Sequence, residues 1–254
     1  MKLTSLVLQR LALVAVAAFS LTSAKATQVP AYNPGDLLLG FYDYSGSNVY
    51  DYLVDLGPIT NFNFANPFVI LSSTSHMGAD LQTVFNTTWY TSGNIYFGLA
   101  VSYPLTAQVY VSNPNDGTPW TESPAQGTPA ASIGGAGNAY SLSTQGSTIL
   151  DPRGLEQADS SNNSWYSDAS TGFGNFNGAG GDNTISDVIT NSIEFDRVNV
   201  GPDGTPGTDL GSFSIDSSGD LSFIPFVSIP EPSTFAILGI GALTLAAAKR
   251  RRRS

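Results

Sequence analysis

Residues 212–227 read SFSIDSSGDLSFIPFV. Phe213 and Ile215 alternate with serines, Leu221 and Phe223 resume the alternation, and Ser217-Ser218-Gly219 separates the two runs. A period of two puts one set of side chains on a single face, as in a half-buried strand. A short Ser-Ser-Gly link between two such runs predicts a hairpin. The same grammar extends outward along the chain. Apolar and aromatic bursts occupy 37–44, 49–56, 67–71, 95–103, 108–111 and 192–200, and in the last of these Ile193 and Phe195 flank Glu194 and precede Asp196. Gly, Pro, Asn, Asp and Ser fill the spaces between bursts. The expectation is a mainly β domain, antiparallel and β-sandwich-like.

One segment departs from period two. Residues 78–85 (GADLQTVF) place Leu81, Val84 and Phe85 at helical spacing, with Ser75 or Asp80 available as a cap. This predicts one short helix against the sheet. Two stretches read as long loops. Residues 113–138 hold Pro114, Pro119, Pro124 and Pro129; residues 159–183 embed Trp165, Tyr166, Phe173 and Phe176 among Ser, Asn and Gly. No fixed-period repeat occurs.

Charge is unevenly distributed. Eight of the ten basic residues lie at the two ends, namely Lys2, Arg10, Lys25, Lys249, Arg250, Arg251, Arg252 and Arg253. Between residues 27 and 229 only Arg153 and Arg197 stand against nineteen acids, a net −17 where the whole chain has −10. Nucleic acid and anionic surfaces repel such a domain. It has no lysine, which removes lysine-based catalysis. The chain has no cysteine, which removes disulfides, thiol catalysis and cysteine metal sites. Its 14 Phe, 11 Tyr and 3 Trp argue for a folded core despite the acidity.

The ends carry the address. Lys2 and Arg10 flank an apolar run at 11–19, and Ala24-Lys25-Ala26 offers small residues at the two positions that signal peptidase reads. Residues 1–26 are therefore expected to be a secretory signal peptide, cleaved after Ala26. At the other end Pro230-Glu231-Pro232 stiffens the backbone. An uncharged stretch follows at 235–248, then Lys249 to Arg253. The stretch is short against the roughly 20 residues of a full crossing. Snorkelling basic side chains lengthen it, and the basic block marks its cytoplasmic side.

This tripeptide, apolar stretch and basic tail resemble the PEP-CTERM sorting domain of Gram-negative bacteria. The same kind of tail is also described as an ice-binding protein C-terminal domain. The resemblance covers about 25 residues and implies an exosortase-type processing partner at or near Pro230, Glu231 and Pro232. It also implies transient anchoring in the inner membrane through a C-terminal transmembrane helix, and a final place in the envelope or extracellular matrix, often with exopolysaccharide or biofilm. The expected organisation is thus 1–26 signal peptide, 27–228 exported acidic β-rich domain and 229–254 sorting domain. Ice binding by the exported domain is not expected, because its threonines are scattered and form no regular rank.

Within that domain, chemistry is sparsely signalled. His76 is the only histidine and no G-x-S-x-G elbow exists, so no Ser-His-Asp triad is predicted. Glu122, Glu156 and Glu194 lie in no recognisable motif for paired-carboxylate hydrolysis. Asn113-Pro114-Asn115-Asp116-Gly117, and Asp203-Gly204 with Asp209, are oxygen-rich turns of a kind that holds calcium, without the EF-hand spacing. Trp120 and Trp165 fall in the two long loops. They are candidate carbohydrate contacts, or else fold back over the sheet; Trp89 reads as core. The sequons at Asn86 and Asn162 read as chance matches. The expected function is structural or adhesive and non-enzymatic, with a carbohydrate-binding or carbohydrate-cleaving module as the alternative.

Overall fold

Strand β1 (Asp36–Asp43, DLLLGFYD) is buried at every position. Its side chains alternate between two faces, so the sheet must be covered on both. The computed structural model describes residues 31–45, 50–103, 108–114, 119–120, 127–142, 148–158, 165, 185–199 and 205–226. The other strands are β2 (Tyr50–Pro58), β3 (Phe68–Ile70), β4 (Ile95–Tyr103), β5 (Gln108–Asn113), β6 (Gly154–Ala158), β7 (Asp187–Val188), β8 (Ile193–Asn199), β9 (Thr208–Ile215) and β10 (Leu221–Pro225). All ten belong to one curled antiparallel sheet, in the order β3-β10-β9-β8-β5-β4-β1-β2-β6, with β7 pairing β4 beside β5.

The mainly β, antiparallel expectation holds; the sandwich does not. A sandwich would set a second sheet against the first. Here one sheet curls, and helices and irregular chain cover it. The apolar run Leu37-Leu38-Leu39 followed by Phe41-Tyr42 is what a strand covered on both faces requires. Pattern alone does not say what does the covering.

The first face carries Leu37, Leu39 and Phe41 of β1, Phe97 and Leu99 of β4, and Phe195, Phe213 and Phe223 of β8 to β10. Phe64 and Phe68 pack into this end, with Phe64 edge-on to Phe223 at 5.1 Å and Phe68 stacked on it at 5.0 Å. Helix α1 (Ser72–Ser75) and helix α2 (Met77–Phe85) follow β3, and Met77, Leu81 and Phe85 of α2 close the face together with Trp89. The helix expected at 78–85 is therefore present, but it is capped differently. His76, in the left-handed conformation, occupies the N-cap without a side-chain bond. The Gly78 N–H goes to Ser72 Oγ at 2.9 Å and Asp80 is turned elsewhere; Ser75 Oγ accepts from Met77 N at 3.4 Å.

The hairpin predicted at 217–219 joins β9 to β10. Asp216 Oδ1 accepts from the N–H groups of Ser218 and Asp220, and Gly219 takes φ +85°. Gly219 lies against Gly78, where a β-carbon would stand 2.5 Å from Gly78 N. The turn is thereby docked on the start of α2. Asp220 Oδ1 adds a bond from Ser72 N at 2.6 Å.

The second face carries Leu38, Tyr42, Leu53, Ala100, Val109, Val111 and Val198. Its cover includes α3 (Gly127–Leu142), most of which falls within the stretch 113–138 expected as a loop. Pro129 sits in its first turn, where the missing N–H has no intrahelical partner to lose. One of its glycines lets the helix lie close. At Gly137 a β-carbon would overlap the Tyr32 ring. Ile133, Ala136 and Tyr140 are the buried stripe, at i, i+3 and i+7. Each mid-helix glycine costs about 1 kcal/mol in propensity, so packing holds this helix.

Among the described residues no helix is long and apolar enough to cross a membrane. The expected signal peptide at 1–26 and the apolar stretch at 235–248 lie outside the described residues.

Candidate functional site

An acidic domain must either expose its carboxylates or satisfy them, and here most of the aspartates are satisfied by main-chain N–H groups. Asp80, on the first turn of α2, is wholly buried. It accepts from the Tyr52 hydroxyl at 2.9 Å, from Leu150 N at 2.7 Å and from Asp151 N at 2.9 Å. Burial raises its pKa against the pull of these donors. Asp151 continues the network: its carboxylate takes Arg153 N at 2.8 Å and Arg153 Nε at 3.3 Å. The Tyr140 hydroxyl of α3 then donates to Arg153 O at 2.6 Å. One chain of polar contacts thus ties α2, β2, the strand β6 approach and α3.

A second group forms where β1 and β2 lose register, between Asp36 and Leu38. Asp36 and Asp55, both buried, lie at this irregularity, Asp55 opposite Leu38. Asp36 Oδ2 also takes Asn33 N, and Asp55 Oδ1 takes Gly57 N. Burial first, and then Asp36, pushes Asp55 up to about 6.

The third group lies on β8. Asp196 Oδ2 accepts from Asn113 Nδ2 and Trp120 N, both at 2.8 Å. Burial, with Asp209 and Glu194 adding to it, pushes Asp196 up to about 6. Two segments suspected of calcium binding, those of Asn113 and Asp209, therefore meet here, Asp209 opposite Asp196 across the β8–β9 ladder. Asp209 Oδ1 is turned back to Gly211 N at 2.9 Å. Among the described residues no group of three or more His, Asp or Glu is arranged to hold a metal. Residues 115–117 and 203–204 lie outside them.

Both loop tryptophans are internal, a correction to the exposed sugar platform and in line with the folding-back alternative. Trp120 is 2% exposed, and its indole N–H donates to Ser112 O at 3.0 Å. Trp165 is fully buried, with its ring on Gly40 of β1. Neither ring offers a face to solvent. Trp89 is core, as expected. His76 is committed to the α1–α2 junction. Glu156 lies on β6 and Glu194 on β8, at opposite parts of the sheet, and Glu122 is outside the described residues. Asn86, at an exposed turn, uses its own amide oxygen to hold Thr88 N and Oγ1. The end motifs, Ala24, Ala26, Pro230, Glu231, Pro232 and Lys249 to Arg253, also fall outside the described residues, as does Asn162.

What sequence reasoning missed is Asp80 and the Asp36–Asp55 pair. Both depend on partners far along the chain, and no local spacing announces them.

The raised carboxyls have a measurable consequence. A group whose folded pKa lies above its unfolded value near 3.9 binds its proton more tightly when folded. Its contribution is therefore complete below about pH 4 and is lost as pH rises through about 6 for Asp55 and Asp196. Each should contribute up to about 2 kcal/mol, at roughly 1.4 kcal/mol per unit reduced for residual solvation. Melting temperature should therefore be higher at pH 5 than at pH 7.5, and Asp55→Asn should flatten that slope. A wild-type curve that is level or rises over this interval would remove the buried protons from the account.

No curated protein and no solved structure matches this chain. Residues 228–253 match the model of the PEP-CTERM protein-sorting motif, so a β-rich acidic domain is followed here by the sorting motif of an exosortase-processed exported protein.

Proposed function

We propose that this protein is a non-enzymatic component of the cell envelope or extracellular matrix, structural or adhesive, delivered there by exosortase processing and associated with exopolysaccharide. The sorting motif at 228–253 carries the reading, because it gives the chain a route and a processing partner. The use of the acids supports the absence of catalysis. Asp36, Asp43, Asp55, Asp80, Asp151, Asp196, Asp209, Asp216 and Asp220 all accept main-chain N–H bonds. Carboxylates so employed hold loops in place, and catalytic acids need at least one oxygen facing a substrate. The burial of Trp120 and Trp165 supports this reading over a carbohydrate-binding or carbohydrate-cleaving module.

The motif provides the test. Proline restricts its own φ and the residue before it, so a processing enzyme should lose little entropy in capturing a Pro-Glu-Pro sequence. Replacing Pro230, Glu231 and Pro232 by alanine should leave the full-length form in the inner membrane, with released protein reduced at least tenfold. Fractionation and immunoblotting read the result. Normal release of the triple variant would reduce the tail to a plain anchor and take the processing route away.

A further inference from the structure

Seven large apolar side chains are exposed among the described residues, and four of them gather at one end of the sheet: Val69, Leu71, Ile224 and Phe226. Val69 of β3 pairs with Ser222 of β10, and strand alternation puts residues 222, 224 and 226 on that same face. The Phe226 N–H prolongs the ladder, donating to Leu210 O at 3.0 Å. On the other side of these strands Phe68, Ile70, Leu221 and Phe223 are packed in the first core. Elsewhere the outer face is closed by α3, Trp120 and Trp165. No residue of β3, β9 or β10 belongs to that second cluster. Among the described residues the end of the sheet is thus capped on one side and open on the other, and the open side is an apolar strip with Ser212, Ser214 and Ser222 beside it and Glu194 beyond Ser212.

Its position relative to the tail says what covers it. Phe226 precedes the sorting motif by two residues and the apolar stretch beginning at Phe235 by nine. Nine residues span at most roughly 30 Å, less than the roughly 40 Å breadth of a domain of about 200 residues. A domain tethered that closely keeps the end bearing Phe226 next to the membrane. Most of its surface is unsuited to contact there, because its net charge of −17 is repelled by anionic headgroups. We propose that Val69, Leu71, Ile224 and Phe226 seat on the lipid surface while the tail is anchored, burying their side chains at the boundary between headgroups and acyl chains. The inference rests on the anchored-tail reading above. It adds an orientation: the domain sits on the bilayer by the β3–β10 end.

The absence of native cysteine makes the test clean. The full chain, carrying Ile224→Cys or Tyr50→Cys and labelled with an environment-sensitive fluorophore, is reconstituted into phosphatidylcholine vesicles containing a nitroxide on the acyl chain. Position 50 is also exposed, but it lies on β2, toward the other end of the sheet. Quenching should be at least threefold stronger at 224 than at 50. With the label at Val69→Cys, the additional change Phe226→Asp should cut quenching by half or more, and circular dichroism checks that these surface variants remain folded. Equal quenching at 224 and 50 in chains that float with the vesicles would overturn the seating and leave the anchor standing. Failure of the wild-type chain to float would overturn both.

Discussion

Asp80→Ala is expected to lower the free energy of unfolding by about 4 kcal/mol and the melting temperature by roughly 10 °C. The carboxylate is fully buried and takes three donors from two separate parts of the chain. Alanine leaves Leu150 N, Asp151 N and the Tyr52 hydroxyl without an acceptor, and each buried donor so abandoned costs about 1–3 kcal/mol. The two main-chain donors cannot turn away without moving the segment that leads into β6. Tyr52→Phe removes one donor and leaves Asp80 Oδ2 still accepting from Asp151 N, and should cost only about 1 kcal/mol. Equilibrium urea unfolding of the two variants separates these cases. A loss below about 1 kcal/mol for Asp80→Ala would show that the three donors find other acceptors and that Asp80 is no hub.

Gly40→Val comes next, with an expected loss of about 3 kcal/mol. Gly40 faces Gly98 on β4 and Leu53 on β2 in the middle of the sheet. A β-carbon there would overlap Cγ, Cδ2 and Cε2 of the Trp165 indole. The ring is enclosed on every side, so it cannot yield without emptying its own site. Gly40 does not take a positive φ, and the penalty is therefore one of space alone. That makes it a coupling experiment. Trp165→Ala by itself should cost about 3–5 kcal/mol. In that background Gly40→Ala should become nearly free, with a coupling of about 2 kcal/mol. Additive losses would mean that something other than the indole occupies the space above Gly40.

The strands were legible because their signal is local. All eight bursts became strands, and 95–103 became β4 with the same ends. Strands β6 and β7 went unseen because the first has Leu155 as its only large apolar residue and the second is two residues long. Helix α3 was hidden by Gly134, Gly135 and Gly137, which lower helix propensity, although Gly137 also permits the close approach of Tyr32. The spacing of Ile133, Ala136 and Tyr140 was its only available sign. The candidate sites fared less well for a physical reason. Asp80 looked like a helix cap because caps are read from neighbours in sequence, whereas its partners are Tyr52 and Leu150, 28 and 70 residues away. Trp165 lies among Ser, Asn and Gly, and nothing beside it in sequence reveals that a glycine on β1 leaves room for its ring.

The pairing of β10 with β3 has a consequence for timing. These strands are about 150 residues apart in sequence, and β10 ends three residues before the sorting motif begins. A chain exported from its N-terminus can build β1, β2 and β4 early, but it cannot close the Phe64, Phe68 and Phe223 cluster until almost all of it has crossed. Sheets whose contacts span such distances also form slowly. For a chain exported in that order, the last strand would emerge only as the sorting tail arrives at the membrane, so the sheet would be completed beside it.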